Sequence, residues 1–218
     1  MFEARKGNIV ELLMTEADKV FRTWLDFAKK NSIHIATLGP RGTSSGFAAA
    51  SLLKHIEKMG GNIRNSRINF FHSYEQATQE ALTQERTILL VANAYAAVNE
   101  MYMNPTLMLA GAFILPTPPY GIVGRAGTSM RSRVRIASHP APIPLIHELL
   151  PPSVDIQEII EAASTSEAAR LVAQKQVDCA LTNEIAANQF QLRFISSKRA
   201  IRMLWSIFVP RTLFGEVA

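Results

Sequence analysis

From Ile33 onward, short runs that read as buried strands alternate with runs of helical period, and that alternation restricts the chain to α/β architectures. Strands are predicted at 33–38, 67–71, 87–92, 120–125, 133–138, 155–160, 178–182 and 203–209, and helices at 43–59, 74–84, 140–149, 165–174 and 183–189. The order predicts mostly parallel sheets. The stretch "LPTPPYGIVGR" (115–125) sets three prolines in four positions after Leu115 and ends in glycines, the texture of a hinge or crossover. It divides the core into a lobe of about 33–115, joined by a tail at 192–218, and a lobe of about 120–190. A cleft between two such lobes is the usual seat of a small ligand. Ahead of them, residues 3–31 read as one amphipathic helix carrying Ile9, Leu12, Leu13, Val20, Trp24, Leu25 and Phe27, within an N-terminal extension over 1–32. It is expected to cap the fold or to serve a partner subunit.

The first strand-to-helix junction reads "TLGPRGTSSGFAAASLL" (37–53) and places Thr43, Ser44 and Ser45 where a helix begins. The first N–H groups of a helix lack intrahelical partners and carry the positive end of its dipole, so an anion is stabilised there. Ser and Thr are also ordinary helix caps, which need no ligand. Similar junctions recur at "ASHPAP" (137–142), "ASTSEAA" (163–169) and "ALTNEIAA" (180–187), supplying Ser138, His139, Ser164, Thr165 and Thr182. Ser164 and Glu167 have capping-box spacing. Turned toward one cleft, these helix ends would form a pocket for a multiply charged anion, with Arg41 and Arg125 as the best placed cations. The first junction lacks both the Lys-Ser/Thr ending of a phosphate loop and the glycine spacing of a dinucleotide fingerprint.

Composition excludes several classes. With 218 residues, 48% of them hydrophobic and 19% charged, the chain can bury a full core. No apolar run reaches the roughly 20 residues that span a bilayer, and the N-terminal stretch lacks the layout of a signal peptide, so a cytoplasmic protein with no membrane partner is expected. The single cysteine, Cys179, offers no disulfide, and five histidines without ligand spacing predict no metal. A formal charge of +5 suits nucleic acid or an acidic small molecule. The basic residues are scattered, and "RSRVR" (131–135) and "SKRAIR" (197–202) are short and free of aromatics, which argues against nucleic acid.

Four of these segments in register resemble the prephenate dehydratase family: "LGPRGTSSGFAA", "ASHPAPI", "STSEAARLV" and "DCALTNEIAA". The resemblance covers about residues 33–210 and implies a two-lobed fold like the type II periplasmic binding proteins, with prephenate in the cleft. Two departures stand out. The dehydratases' Glu-Asn-Ser positions hold Ala94, Tyr95 and Ala96, and their Thr-Arg positions in the final strand hold Trp205 and Ser206. With "YMNPTLML", "TPPYGIVGR" and "WSIF", the chain is more similar to the non-aromatising prephenate decarboxylases of bacilysin- and aeruginosin-type antibiotic pathways.

That subgroup implies a specific chemistry. Loss of CO2 from prephenate pushes an electron pair into the ring diene, which serves as the electron sink, so neither a metal nor an organic cofactor is expected. In a dehydratase those electrons expel the ring hydroxyl with help from the family's Thr. Trp205 removes that donor, and a proton delivered to a ring carbon would then leave the alcohol in place. Trp205, Ser206 and Tyr95 are the candidate catalytic residues, with Trp205, Tyr95 and Phe208 a candidate apolar wall whose alternative role is core packing. Glu184, His139, Tyr102 and pocket water stay open as proton donor. An active dehydratase giving phenylpyruvate and a non-catalytic small-anion binding module are the competing readings, and a homodimer is left open.

Overall fold

The computed structural model describes residues 19–127 and 131–213. It is an α/β chain with two mixed five-stranded sheets, divided into two compact units. The first unit takes residues up to Leu38, Ala48–Leu115 and the segment from Arg202, and the second takes Gly39–Phe47 and Pro116–Ile201.

In the first unit, β1 (His34–Leu38), β2 (Arg67–Phe71), β3 (Thr87–Ala92), β4 (Leu107–Pro116) and β10 (Arg202–Pro210) form a sheet in the order β2-β1-β3-β10-β4. Strand periodicity sorts its side chains to two faces. Ile35, Ile88, Leu90, Trp205, Ile207 and Val209 pack with Trp24 and Ala28 of α1 (Lys19–Lys30) and Ala48, Ala49, Leu52 and Ile56 of α2 (Ser44–Lys58). The alternate residues Ala36, Leu89, Val91 and Phe208 pack with Tyr74, Ala77 and Ala81 of α3 (Tyr74–Thr83) and Met101 of α4 (Val98–Met103). The described part of the N-terminal helix is therefore core. Gly111 of β4 makes room for it, because a Cβ there would stand 3.0 Å from the Phe21 ring. The remainder of the expected helix, residues 3–18, lies outside the described residues.

In the second unit, β5 (Tyr120–Gly124), β6 (Arg133–Ser138), β7 (Asp155–Glu161), β8 (Cys179–Asn183) and β9 (Arg193–Phe194) are ordered β7-β6-β8-β5-β9. Val123, Ala137 and Ala180 pack with α6 (Thr165–Ala173) and α7 (Glu184–Gln189) on one face. Ile122, Ile136 and Leu181 pack with α5 (Pro144–Leu149) on the other. Cys179 is buried, and burial together with Asp178 pushes its thiol up to about 12, which keeps it inert.

Two expectations are corrected. The sheets are mixed, because β10 runs antiparallel to β3, and β5 antiparallel to β8 and β9. Both β5 and β10 enter their sheets from the other unit without the helical crossover that parallel pairing needs. The proline stretch at 115–125 carries the chain from the first unit to the second, with β4 ending at Pro116 and β5 beginning at Tyr120. The chain also rejoins the first unit only at Arg202, because residues 192–201 group with the second and β9 pairs with β5. Elements β4, α4 and β9 were not foreseen. Among the described residues no helix is long and apolar enough to cross a membrane, and no cluster of His, Cys, Asp or Glu suits a metal.

Candidate functional site

A cluster of hydrogen-bonded polar side chains lies at the C-terminal strand ends of each unit. The second unit's cluster lies at the C-terminal edge of its parallel strands, the edge where open α/β sheets bind ligands. Ser138 ends β6, Thr182 and Asn183 end β8, and the antiparallel register sets Tyr120 opposite Asn183. Asn183 is completely buried and ties three segments together. Its Oδ1 accepts from the Ala186 N–H at 2.9 Å and so caps α7, while its Nδ2 donates to the Gly42 carbonyl at 3.2 Å and to Thr165 Oγ1 at 3.3 Å. Ser44 and Tyr120 share a hydroxyl–hydroxyl bond of 2.9 Å. Gly42 lies at φ 93°, and a Cβ there would come within 2.8 Å of Gln189 Oε1. The left-handed φ is what favours glycine here, since the end of the Gln189 side chain could move aside.

Three of the four expected junctions, those at Thr43–Ser44, Thr165 and Thr182, are thus joined through Asn183 and Tyr120. Their hydroxyls do different things. Thr43 Oγ1 accepts from the Gly46 N–H at 3.2 Å, and Ser164 Oγ accepts from the Glu167 N–H at 3.0 Å, so both cap helices. Thr182 donates to the Thr165 carbonyl at 2.7 Å, and Ser138 donates to the His139 carbonyl at 2.8 Å. A hydroxyl has one proton, so Thr182 and Ser138 hold backbone in place and have none to offer a ligand. Thr165 Oγ1 accepts from Asn183 and keeps its own proton.

The two arginines part company. Arg41 is exposed in the turn, where its carbonyl accepts from Ser166 Oγ at 3.5 Å. Arg125 is not brought to the cluster. Its Nη1 donates to the carbonyls of Val172 at 3.0 Å and Val177 at 3.2 Å, at the far end of α6 from Thr165. It ties the end of α6 to the segment leading into β8. Glu184, another candidate proton donor, is ion-paired with Lys198 at 2.7 Å.

His139 is held neutral: burial is the main cause lowering its pKa from 6.5, partly opposed by Glu161. Its Nδ1 accepts from the Ala141 N–H at 3.3 Å, a bond that protonation would abolish. Below the unfolded-state pKa the unfolded chain therefore binds the proton first, and stability rises with pH between the lowered folded pKa and 6.5. His34 and His55 are lowered as well, burial being the first cause for each, and act with the same sign. Denaturant melts should show stability falling as pH drops below about 6.5, with a shallower fall in His139→Gln.

The first unit's cluster is built on β3, α4 and β10. Ser206, fully buried, donates to Asn93 Oδ1 at 2.7 Å and lies 2.9 Å from the Tyr102 hydroxyl. Asn93 Nδ2 closes the ring by donating to the Tyr102 oxygen at 3.3 Å. Because the one Ser206 proton goes to Asn93, Tyr102 must donate to Ser206, so the three bonds run in one direction. The Tyr102 ring meets Phe208 edge-on at 5.0 Å, and Tyr102 is 41% exposed. Asn93 escaped notice because its partner in β10 lies 113 positions away.

Trp205 points to the opposite face. It is completely buried in the core with α1 and α2, and its Nε1 donates to the Leu115 carbonyl at 3.1 Å. Tyr95 is half-buried, packs against Tyr74 at 4.8 Å and donates to Glu75, a bond that pushes its phenol up to about 12. Held in that way, Tyr95 is a poor acid.

A family model described as prephenate dehydratase matches residues 35–200. A Bacillus subtilis protein named prephenate decarboxylase is 34% identical over 188 residues, covering 84% of this chain and 90% of its own. Among solved structures, prephenate dehydratase from Arthrobacter aurescens, in complex with L-Phe, superposes with a TM-score of 0.59 at 15% identity, covering 82% of this chain. This chain spans 60% of that one. The periplasmic VFT2 domain of BvgS from Bordetella pertussis gives a TM-score of 0.50 at 17% identity, with 88% of this chain and 85% of that one covered. The two structural likenesses speak to the fold, and the expected α/β architecture of the periplasmic-binding-protein type is borne out.

Proposed function

Since this chain belongs to the prephenate dehydratase family, we propose that it decarboxylates prephenate without aromatising the ring. The observation that carries this reading is the 34% identity over 188 residues to a protein named prephenate decarboxylase, and Trp205 agrees with it. Where the resemblance places the dehydratases' Thr, this chain has a buried indole whose N–H is committed to the Leu115 carbonyl, so that position offers no hydroxyl to help the ring oxygen leave. In the proposed reaction the bond to the carboxylate breaks, its electron pair enters the diene, one proton is taken up at a ring carbon, and the C–O bond survives. Prephenate and one proton give CO2 and a dihydro-4-hydroxyphenylpyruvate. The ring diene accepts the electrons, and the step calls on no cofactor.

Thr43, Ser44 and Thr165 are the proposed hydroxyl contacts to a substrate carboxylate, with Arg41 the nearby cation. Ser138 and Thr182, whose protons go to carbonyls, act by fixing the backbone around them, and Ser164 caps α6 as Thr43 caps α2. Tyr102 is the proposed proton source: its hydroxyl turns from Ser206 toward the substrate to deliver its proton, and the Asn93 amide donates to the oxygen left with negative charge. Tyr102→Phe should lower kcat about 100-fold while KM for prephenate changes little, as expected for loss of an acid and not of binding. Steady-state kinetics with prephenate check this. A cytoplasmic setting in antibiotic or other secondary metabolism fits a small, non-aromatic product, and analytical ultracentrifugation would test a homodimer.

The decisive experiment is incubation with prephenate followed by NMR of the untreated product. Olefinic ring signals with a retained carbinol proton are expected. Aromatic signals of phenylpyruvate before any acidification would make it a dehydratase, and unchanged prephenate a binding module.

A further inference from the structure

The edge of the first sheet opposite the Asn93–Tyr102–Ser206 ring carries a second polar site. A cavity of about 390 Å³ is lined by Ser32, His34, Asn65, Arg67, Glu85 and Arg86, all from the N-terminal ends of β1, β2 and β3. From Thr87 to Asn93 is six strand steps, so the two sites lie about 20 Å apart. Parallel register sets His34 beside both Arg67 and Thr87, and residues paired in register present their side chains to the same face. Arg86 sits at φ 55°, a left-handed conformation that is uncommon for a residue with a side chain, and its carbonyl accepts from the His34 N–H at 2.9 Å.

Arg67, Arg86, Asn65 and Glu85 are exposed where they line this cavity. Among the described residues neither guanidinium lies within ion-pair distance of a carboxylate, Glu85 included. His34 Nδ1 is buried and accepts or donates no hydrogen bond. A buried polar atom in that state is costly unless something outside the protein satisfies it. Burial, followed by Arg67 and Arg86, lowers the His34 pKa against an opposing Glu80, as expected for two cations close to the ring. With a neutral imidazole and one carboxylate against two guanidiniums, the lining stays positive.

We propose that this cavity binds a phosphate group, gripped by the Arg67 and Arg86 forks, with Asn65, Ser32 and His34 as further hydrogen-bonding groups. Two planar forks match the oxygens of a phosphate, and the absence of any apolar lining residue disfavours an aromatic acid. The phosphate is either inorganic or part of a small phosphate ester.

Titration calorimetry at low ionic strength tests this with inorganic phosphate, glycerol 3-phosphate and, at matched ionic strength, acetate. Saturable one-site binding of a phosphate with no comparable acetate binding is expected, the tighter of the two phosphates identifying the source. Arg67→Gln and Arg86→Gly should each weaken that binding at least about tenfold. Glycine suits the left-handed position, so Arg86→Gly removes the fork while keeping the backbone, and thermal melts without phosphate confirm that each variant is folded. No saturation, equal binding of acetate, or wild-type phosphate affinity in both folded variants would overturn the proposal.

Discussion

Trp205→Thr is expected to lower stability by about 3–5 kcal/mol, the usual cost of removing a large aromatic from a packed core. The side chain has no exposed surface, packs with helices on the α1 and α2 side, and satisfies the Leu115 carbonyl through its indole N–H. A threonine leaves a void and withdraws that donor. Denaturant unfolding measures the loss, and Trp205→Phe, which keeps an aromatic ring but not the N–H, separates packing from hydrogen bonding. Position 205 faces the core on the side of α1 and α2, away from the Asn93–Tyr102–Ser206 ring, so the folded fraction of Trp205→Thr should still convert prephenate to the dihydro product. A folded, active variant yielding phenylpyruvate would show instead that position 205 sets the outcome. Restoring the dehydratases' arginine at 206 as well is a poor complement, because it would drive a cation into the fully buried Ser206 position and break the ring with Asn93 and Tyr102.

Asn183→Ala should cost about 2–4 kcal/mol and weaken prephenate binding about tenfold or more, because one substitution removes a helix cap and two ties. The Gly42 carbonyl and Thr165 Oγ1 lose their amide partner, and the turn at 39–44 is no longer held against the start of α6. Asn183→Asp distinguishes the contributions. Its carboxylate can still cap α7 through the Ala186 N–H but cannot donate to Gly42 or Thr165. It should therefore recover part of the stability and little of the affinity. Calorimetric titration with prephenate alongside denaturant melts checks both, and equal affinity in all three proteins would remove this cluster from the proposed binding site.

The parts of this molecule that follow from local chemistry were legible in the sequence. Strand period and helix caps mark β1 to β3, β5 to β8 and their helices to within a residue or two at most ends, because those signals act within a few positions. The run "LMLAGAFILP" of β4 is uncharged and has no period, so nothing local separates a strand from a buried helix. Helix α4 spans only six residues, too short for an apolar stripe to register. In the site, hydroxyls at junctions were visible as helix starts, but their partners were not. Asn183 meets Gly42 across 141 positions, and Ser206 meets Asn93 across 113. Asn183 did carry a signal, since Asn immediately before a helix is a favoured cap. Arg125 misled because a lone cation after a strand reads the same whether it faces a ligand or the carbonyls of a neighbouring helix.

The last long strand occupies an interior place in the first sheet, between β3 and β4. During synthesis, therefore, β4 has no neighbour in its sheet until residues 202–210 have left the ribosome, and the three strands β2-β1-β3 must wait with an open edge at β3. The second unit's five strands are all made before that point, in the continuous stretch 116–201. The half of the protein that starts first is thus the half completed last, and a nascent chain held with residues up to about 200 outside the ribosome would carry one finished sheet and one divided sheet exposing unpaired backbone to aggregation.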